Sequence, residues 1–292
     1  MKIVTFLKDM IKEMRVKSWL KNLFVLIPIV FSLELFERER LIGGILLTLA
    51  FCFVSSAVYI FNDIKDLEKD RNHEVKRNRP IAAGRISVTA GWILTAVLLA
   101  IGFVTAYFVK VAAFLIIVSY VFVNILYSTW LKRMPIVDCF CIAAGFVLRV
   151  LTGGTAVESG VSDWMFLTVI AFSLFMALGK RRGEMVWHIE RDTRTVLESY
   201  EQTFLNGSTF MCAGLTVVFY SLWCLSQGAH LVYTVPIILF IVLRYLLLLF
   251  KGKEEGDPTG LILGDRTLLI ACGLCSVIML VILYAPSLLS SL

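Results

Sequence analysis

Long apolar runs separated by shorter polar stretches dominate the sequence. A membrane-spanning helix needs roughly 20 mostly apolar residues. Nine runs approach that length, and they lie near residues 19–36, 41–61, 88–109, 111–131, 135–152, 162–178, 208–230, 233–250 and 268–286. We therefore predict an all-α polytopic membrane protein, a single domain over residues 1–292 built as a bundle of nine transmembrane helices. Only three residues, 132–134, separate the fourth and fifth runs, which predicts a tight turn there.

The composition supports a membrane protein. Hydrophobic residues make up 59% of the 292 residues, charged residues 17%, and the mean hydropathy is +0.84. An ordinary soluble domain carries about 25% charged residues, and disordered or disulfide-stapled secreted proteins fit this composition no better. We expect the lipid bilayer as a partner and no nucleic acid, and the sequence leaves the oligomeric state open.

The basic residues are distributed unevenly along the chain. Of the 28 Lys and Arg residues, 23 fall in the N-terminal segment, the 132–134 turn or one of three loops, 62–87, 179–207 and 251–267. Loops rich in Lys and Arg stay on the cytoplasmic side of a membrane. The sequence therefore predicts a multi-pass protein of the plasma or inner membrane, with its N-terminus and both long polar loops, 62–87 and 179–207, in the cytoplasm.

An acidic motif opens the 62–87 loop. Asn62, Asp66 and Asp70 are spaced four residues apart, which places them on one face if the preceding helix continues, and Asp63 lies beside that face. Like charges at this spacing repel each other, and a cation relieves the repulsion. Oxygen ligands in this pattern suit Mg²⁺. The alternative is a solvated helix end whose acids pair with neighbouring Lys and Arg side chains.

Basic residues follow the acids directly. Lys76, Arg77 and Arg79 provide a point charge and two bidentate groups for phosphate oxygens, as a metal-bound diphosphate requires. Pro80 ends any helix at Arg79, and Gly84 provides a flexible turn before the next apolar run. The loop therefore indicates a site for a diphosphate substrate.

These residues resemble a known family. The spacing of Asn62, Asp63, Asp66 and Asp70 is similar to the first aspartate-rich motif of the UbiA superfamily of membrane prenyltransferases. Residues 76–84 read Lys-Arg-x-Arg-Pro-Ile-Ala-Ala-Gly, and they resemble more narrowly the decaprenyl-phosphate phosphoribosyltransferase branch. Further stretches similar to that branch are 15–22, 127–149 and 177–184. The chain departs from the branch at Val16 and Glu74, where the branch usually has proline.

The resemblance implies a UbiA-like fold and an activity. The expected enzyme transfers a 5-phosphoribosyl group from phosphoribosyl diphosphate to a polyprenyl phosphate of the decaprenyl type, releases pyrophosphate, requires Mg²⁺ and supplies a cell-envelope glycolipid precursor. Asn62, Asp66 and Asp70 are the implied metal-binding and catalytic residues. The expected substrate-binding residues are Lys21, Asn22, Asp63, Lys76, Arg77, Arg79, Tyr127, Lys132, Asp138, Lys180, Arg181 and Arg182.

The second long loop bears on the type of reaction. Aromatic prenyltransferases of this superfamily carry a second aspartate-rich motif, whereas here the loop opens with Lys180, Arg181 and Arg182 and has no Asp-x-x-x-Asp pair. Its acids are Glu184, Glu190 and Asp192. Three consecutive cations suit the additional phosphates of phosphoribosyl diphosphate and the lipid. The alternative is a set of positive charges that only anchors the helix end at the cytoplasmic surface.

The sequence leaves the roles of several other polar residues open. Asp138 either holds the ribose hydroxyls or pairs with a basic neighbour, Arg149 snorkels or pairs structurally, and Arg244 is interpreted as structural. The segment 254–267 is a possible lid.

An aromatic-acceptor prenyltransferase of the same fold is the first rival function, and a membrane transporter or lipid-binding protein is the second. Transporter sites lie near the bilayer midplane, whereas these polar clusters lie at one interface.

Overall fold

The computed structural model describes residues 2–186, 195–227, 230–251 and 258–290, and every regular element among them is helical. Five 3-10 segments lie at Val16–Leu26, Lys76–Asn78, Leu131–Arg133, Thr195–Ser199 and His230–Thr234. The α-helices, in chain order, are α1 Lys2–Glu13, α2 Ile27–Phe31, α3 Arg38–Lys65, α4 Leu67–Asn72, α5 Val88–Val109, α6 Val111–Thr129, α7 Val137–Gly154, α8 Asp163–Val186, α9 Gln202–Ser226, α10 Val235–Lys251, α11 Pro258–Gly264 and α12 Arg266–Ser290.

Long apolar helices account for most of the described chain. By length and composition, eight of them can cross a membrane: α3, α5, α6, α7, α8, α9, α10 with its preceding 3-10 turn, and α12. They correspond to the second through ninth predicted runs. The predictions of an all-α fold and of a multi-pass membrane protein are confirmed. The tight turn after the fourth run is the 3-10 segment Leu131–Arg133.

The first predicted run, 19–36, does not form one α-helix. Val16–Leu26 is a 3-10 helix, and the short helix α2 follows with Pro28 in its first turn. A 3-10 helix rises about 2.0 Å per residue and an α-helix about 1.5 Å, so residues 16–31 extend over about 30 Å, close to the thickness of a bilayer core. Nine spans is therefore an approximate count, with eight long helices among the described residues.

The chain divides into two compact units. The first comprises residues 1–129 and 148–160, and the second comprises 130–147 and 161–292, so α7 contributes its first part to the second unit and its last part to the first. Ile29, Leu47 and Phe51 are fully buried in the core of the first unit. Phe175 and Leu205 are likewise buried in the core of the second unit.

A glycine allows α7 to approach the 3-10 helix closely inside the first unit. A Cβ at Gly153 would lie 1.8 Å from the carbonyl oxygen of Val25 and 3.2 Å from Cδ of Pro28. Both neighbours are backbone or ring atoms that cannot rotate away. The small residue therefore fixes how the first apolar segment packs against α7.

We expect Gly153→Ala to destabilise the protein by about 1–3 kcal/mol or more, because the new methyl group forces backbone atoms apart. Gly207→Ala is the matched control, since a Cβ at that position in α9 meets nothing within 4 Å. Alanine is the better helix former, so this control should unfold at the same temperature as the wild type or slightly higher. Thermal unfolding in detergent measures both, and equal midpoints for the two variants would contradict the packing described here.

Candidate active site

The acidic motif keeps the helical register that its spacing predicts. Helix α3 ends at Lys65 and α4 starts at Leu67, yet the helical hydrogen bonds continue across the junction. The Asp66 N–H donates to the Asn62 carbonyl oxygen at 2.9 Å, and the Asp70 N–H donates to the Asp66 carbonyl oxygen at 2.9 Å. Asn62, Asp66 and Asp70 therefore follow each other at intervals of one turn, about 6 Å along the axis.

Two of the acids share one arginine. The carboxylates of Asp63 and Asp70 are both buried, and Nη1 of Arg79 donates to Asp63 Oδ1 at 2.8 Å and to Asp70 Oδ2 at 2.6 Å. Nη2 of Arg15 also donates to both oxygens of Asp63, at 2.7 Å to Oδ2. Charge-assisted hydrogen bonds of this kind are about twice as strong as neutral ones. The two arginines thus hold the acidic motif in a fixed arrangement.

The electrostatic environment of Asp70 differs from that of a surface acid. Burial raises its pKa above the usual value, and the positive charge of Arg79 and its hydrogen bond oppose that rise. The net direction is upward, so burial outweighs the arginine. A second positive charge near this carboxylate would favour its ionised form further.

Asn62 is fixed by a residue from another helix of the same unit. Its Oδ1 accepts a hydrogen bond from the hydroxyl of Ser128, which is buried at the end of α6. The neighbouring Tyr127 is half-buried. The sequence offered one signal for this contact, since Tyr127 and Ser128 begin one of the stretches that resemble the phosphoribosyltransferase branch.

The basic segment after α4 folds as a series of turns. Nδ1 of His73 accepts hydrogen bonds from the backbone N–H groups of Val75 and Lys76, at 3.2 and 3.4 Å, and this starts the 3-10 turn Lys76–Asn78. Arg77 is exposed, whereas Lys76 and Arg79 are half-buried. Gly84 has a φ of 71°, the left-handed conformation that glycine adopts without strain. These turns bring Arg79 back to Asp63 and Asp70.

A further carboxylate lies beside this cluster. Glu13, the last residue of α1, is 2% exposed and faces Asp63. Burial, together with the negative charge of Asp63, raises the pKa of Glu13 to about 7. No sequence feature indicates a role for Glu13, because it precedes the stretch that resembles the family and has no spacing relation to the acidic motif.

The second unit contains a buried ion-pair network of its own. Asp138 is fully buried and accepts hydrogen bonds from Nε of Arg181 at 2.6 Å and from the hydroxyl of Tyr200 at 2.7 Å. Arg181 also donates to Glu184, one turn further along α8, at 2.5 Å. Burial and the bond to Asp138 raise the pKa of Tyr200, which keeps its phenol protonated as a donor. Of the two roles considered for Asp138, the structure shows the basic neighbour.

The predicted basic triplet lies on a helix and not in a loop, because α8 continues to Val186. Arg182 is buried, donates to Asn206 Oδ1 at 2.7 Å and to the Leu249 carbonyl oxygen at 2.9 Å, and stacks over the ring of Phe250. Arg181 is also buried, whereas Lys180 is half-buried. Lys132, in the turn Leu131–Arg133, is half-buried too. Glu190 and Asp192 lie outside the described residues.

Two further predicted residues lie in the first unit. Lys21 is exposed, but Asn22 is fully buried, where its amide donates to Ser55 Oγ at 3.1 Å and accepts from Nε of Arg149 at 2.8 Å. Arg149 also donates to the Tyr120 hydroxyl at 3.1 Å. The structural interpretation of Arg149 therefore agrees with its contacts, and Asn22 takes part in the core rather than in an open site.

Arg244 is held close to the end of the possible lid segment. It donates to both carboxylate oxygens of Asp265, at 3.2 and 2.7 Å, and Asp265 also accepts from the Leu268 N–H at 2.7 Å. These hydrogen bonds lower the pKa of Asp265. Asp265 thus caps α12 and joins it to α10. Residues 254–257 of the possible lid segment lie outside the described residues.

Residues 25–262 match the family model of the UbiA prenyltransferase family. The chain belongs to the UbiA prenyltransferase family. Its curated relatives include decaprenyl-phosphate phosphoribosyltransferases. The one from Corynebacterium glutamicum is 35% identical, with 89% of this chain and 82% of the relative covered. The one from Mycolicibacterium smegmatis is 33% identical, with 89% of this chain and 88% of the relative covered.

Solved UbiA structures have the same fold. A UbiA homolog from Archaeoglobus fulgidus, bound to GPP and Mg²⁺, superposes with a TM-score of 0.74 at 18% identity and covers 95% of this chain and 98% of its own. A digeranylgeranylglyceryl phosphate synthase superposes with a TM-score of 0.69 at 20% identity and covers 96% of this chain and 99% of its own. The predicted UbiA-like fold is confirmed.

The side chains of the acidic motif are chemically suited to bind a divalent metal ion. Asn62, Asp63, Asp66 and Asp70 offer only oxygen ligands, which hard cations such as Mg²⁺ prefer. Within the described ranges, no three His, Cys, Asp or Glu side chains converge as a metal-binding group. Two of the UbiA motif carboxylates, those of Asp63 and Asp70, point instead to Arg79. An arriving cation therefore meets acids that already have a positively charged partner.

Proposed function

We propose that this UbiA family member transfers a 5-phosphoribosyl group from phosphoribosyl diphosphate to a polyprenyl phosphate and releases pyrophosphate. The observation that carries the proposal is the similarity, over 88–89% of the chain, to relatives named decaprenyl-phosphate phosphoribosyltransferase at 30–35% identity. The lack of an Asp-x-x-x-Asp pair in the 179–207 segment supports it, because a second acidic motif is what the aromatic prenyltransferases carry. The product would serve as a cell-envelope glycolipid precursor.

We assign a divalent metal, Mg²⁺, to Asn62, Asp66 and Asp70. When bound, the metal neutralises charge on the leaving pyrophosphate. The exposed Arg77 and the half-buried Lys76 bind diphosphate oxygens, and Arg79 keeps Asp63 and Asp70 in place. In the second unit, Lys180 binds a substrate phosphate, while the buried Arg181 and Arg182 stabilise α8 through their protein partners.

The reaction exchanges one carbon–oxygen bond for another at ribose C1. The bond from C1 to the pyrophosphate oxygen breaks, and pyrophosphate leaves with the electron pair. A lipid phosphate oxygen then forms the new bond to C1 from the opposite face, which inverts that carbon. Because the attacking oxygen is already anionic near neutral pH, the step needs no general base. The protein therefore contributes by orienting the phosphates and neutralising charge.

The membrane orientation belongs to the same proposal. A cytoplasmic N-terminus and cytoplasmic substrate loops are supported by the 23 basic residues in the N-terminal segment and in the 62–87, 132–134, 179–207 and 251–267 segments. Phosphoribosyl diphosphate is a water-soluble anion, so a cytoplasmic site meets it directly. The polyprenyl tail of the acceptor stays in the bilayer.

A choice of donors tests this function. Purified protein in detergent with Mg²⁺ receives a polyprenyl phosphate together with an aromatic acid. Phosphoribosyl diphosphate is then added to one sample and geranyl diphosphate to the other. We expect a new lipid only with phosphoribosyl diphosphate. A prenylated aromatic product with geranyl diphosphate, and no lipid product with the other donor, would assign the chain to the aromatic prenyltransferases instead.

A further inference from the structure

Glu13 is buried without a partner. Its side chain is 2% exposed, and neither carboxylate oxygen has a hydrogen-bond partner among the residues that the structure describes. Burying a carboxylate without a hydrogen bond is strongly unfavourable. Buried polar groups in native proteins are nearly always satisfied, so a carboxylate left in this condition indicates a missing ligand.

The position of Glu13 is fixed by the packing of α1. Met10 and Met14, on either side of it, pack against the apolar cluster that contains Ile60 and Ile81. On the same helix, Asp9 accepts a hydrogen bond from Nε of Arg85 at 3.0 Å. Contacts on both sides of the helix therefore hold Glu13 against the 62–87 segment, and a rotation of α1 that would expose it to water breaks them.

The neighbouring carboxylate has room for one more ligand. A carboxylate offers about four lone-pair sites. Asp63 accepts two hydrogen bonds from Arg15 and one from Arg79. The hydrogen bonds of both arginines go to the motif carboxylates, those of Arg15 to Asp63 and those of Arg79 to Asp63 and Asp70. The Glu13 carboxylate faces Asp63, and the positive charge of Arg15 acts on it without a hydrogen bond to either Glu13 oxygen.

We propose that Glu13 and Asp63 together hold a divalent cation, so that Glu13 is a metal ligand contributed by α1 from outside the aspartate-rich motif. Mg²⁺ typically binds through one or two carboxylates and completes its coordination with water or phosphate oxygens. Two carboxylates and open positions are what this pair offers. The proposal concerns cation binding alone and goes beyond the assignment of Asn62, Asp66 and Asp70.

The test is a titration with Mn²⁺, a spectroscopic substitute for Mg²⁺, followed by electron paramagnetic resonance on the full-length protein in detergent. Glu13→Gln removes the charge and keeps the shape. We expect it to weaken Mn²⁺ binding at least about tenfold, or to remove one bound ion per chain. The matched control is Glu39→Gln, which makes the same chemical change on an exposed side chain in the first turn of α3 and should bind Mn²⁺ like the wild type.

Unchanged Mn²⁺ binding in Glu13→Gln would overturn the proposal and leave Glu13 as a buried acid that is held protonated. Thermal unfolding without Mn²⁺ shows whether the variant is folded, and we expect it to be at least as stable as the wild type at pH 8. If Glu13→Gln does not fold, Glu13→Asp replaces it. Weaker binding by this shortened carboxylate supports the site, and wild-type binding overturns it. The titration contains neither donor nor acceptor, so its failure leaves the proposed transfer reaction unaffected.

Discussion

Replacing Asp70 by asparagine is expected to lower kcat/KM for phosphoribosyl transfer about 10³-fold, the scale on which removal of one charge-stabilising group slows such reactions. The variant removes one negative ligand from the proposed metal site. It also removes one of the two carboxylates that orient Arg79. Both effects weaken the stabilisation of charge on the leaving pyrophosphate, so kcat should fall more than KM rises.

The same α4 helix provides the control for Asp70→Asn. Glu68→Gln makes the identical chemical change two residues earlier, on an exposed side chain. We expect it to retain nearly full activity. The Asp70 variant should stay folded, because Arg79 keeps its hydrogen bond to Asp63 at 2.8 Å and is half-buried. An Asp70→Asn protein that is folded and has close to wild-type kcat would show that this carboxylate takes no part in the reaction.

Replacing Asp138 by alanine is expected to destabilise the protein by about 3–5 kcal/mol, the usual result of removing one partner of a buried ion pair. Arg181 is 1% exposed and would lose its 2.6 Å contact with Asp138, and Tyr200 would lose its acceptor. Glu184 would remain as a partner of Arg181, which limits the loss. Chemical or thermal unfolding in detergent measures the change.

A surface acid of the same unit is the control for Asp138→Ala. Asp163 lies exposed in the first turn of α8, so Asp163→Ala should leave the unfolding midpoint nearly unchanged. The two roles considered for Asp138 are binding of the ribose hydroxyls and pairing with a basic neighbour. Enzyme activity at a temperature low enough for Asp138→Ala to remain folded distinguishes them. A variant with wild-type stability and a raised KM for phosphoribosyl diphosphate would show that Asp138 contacts the ribose and would contradict the structural role described here.

The sequence predicted features that depend on local spacing. The lengths of the apolar runs predicted eight of the long helices, and the four-residue spacing of Asn62, Asp66 and Asp70 predicted their helical register. The turn at Leu131–Arg133 followed from the short gap, residues 132–134, between two apolar runs. Each of these features is set by neighbours within a few turns, where helix geometry leaves little choice.

Features that depend on distant residues were not predicted. The sequence predicts phosphate binding by Arg181 and Arg182, but it does not show that Asp138 and the Leu249 carbonyl oxygen, 43 and 67 residues away, are their partners in the structure. The 3-10 geometry of Val16–Leu26 depends on contacts such as that between Val25 and Gly153. The buried carboxylate of Glu13 depends on the packing of α1. A single sequence does not show which polar side chains meet when helices pack.

The most direct measurement follows the atoms of the donor. Purified protein, Mg²⁺ and a polyprenyl phosphate are incubated with phosphoribosyl diphosphate labelled either in the ribose or in the diphosphate, and the lipid is then extracted. We predict that the ribose label enters the lipid, that the diphosphate label is recovered as pyrophosphate, and that EDTA or Asp70→Asn prevents both. Ribose label that stays in the aqueous phase under all conditions, with the protein folded, would contradict the proposed transfer.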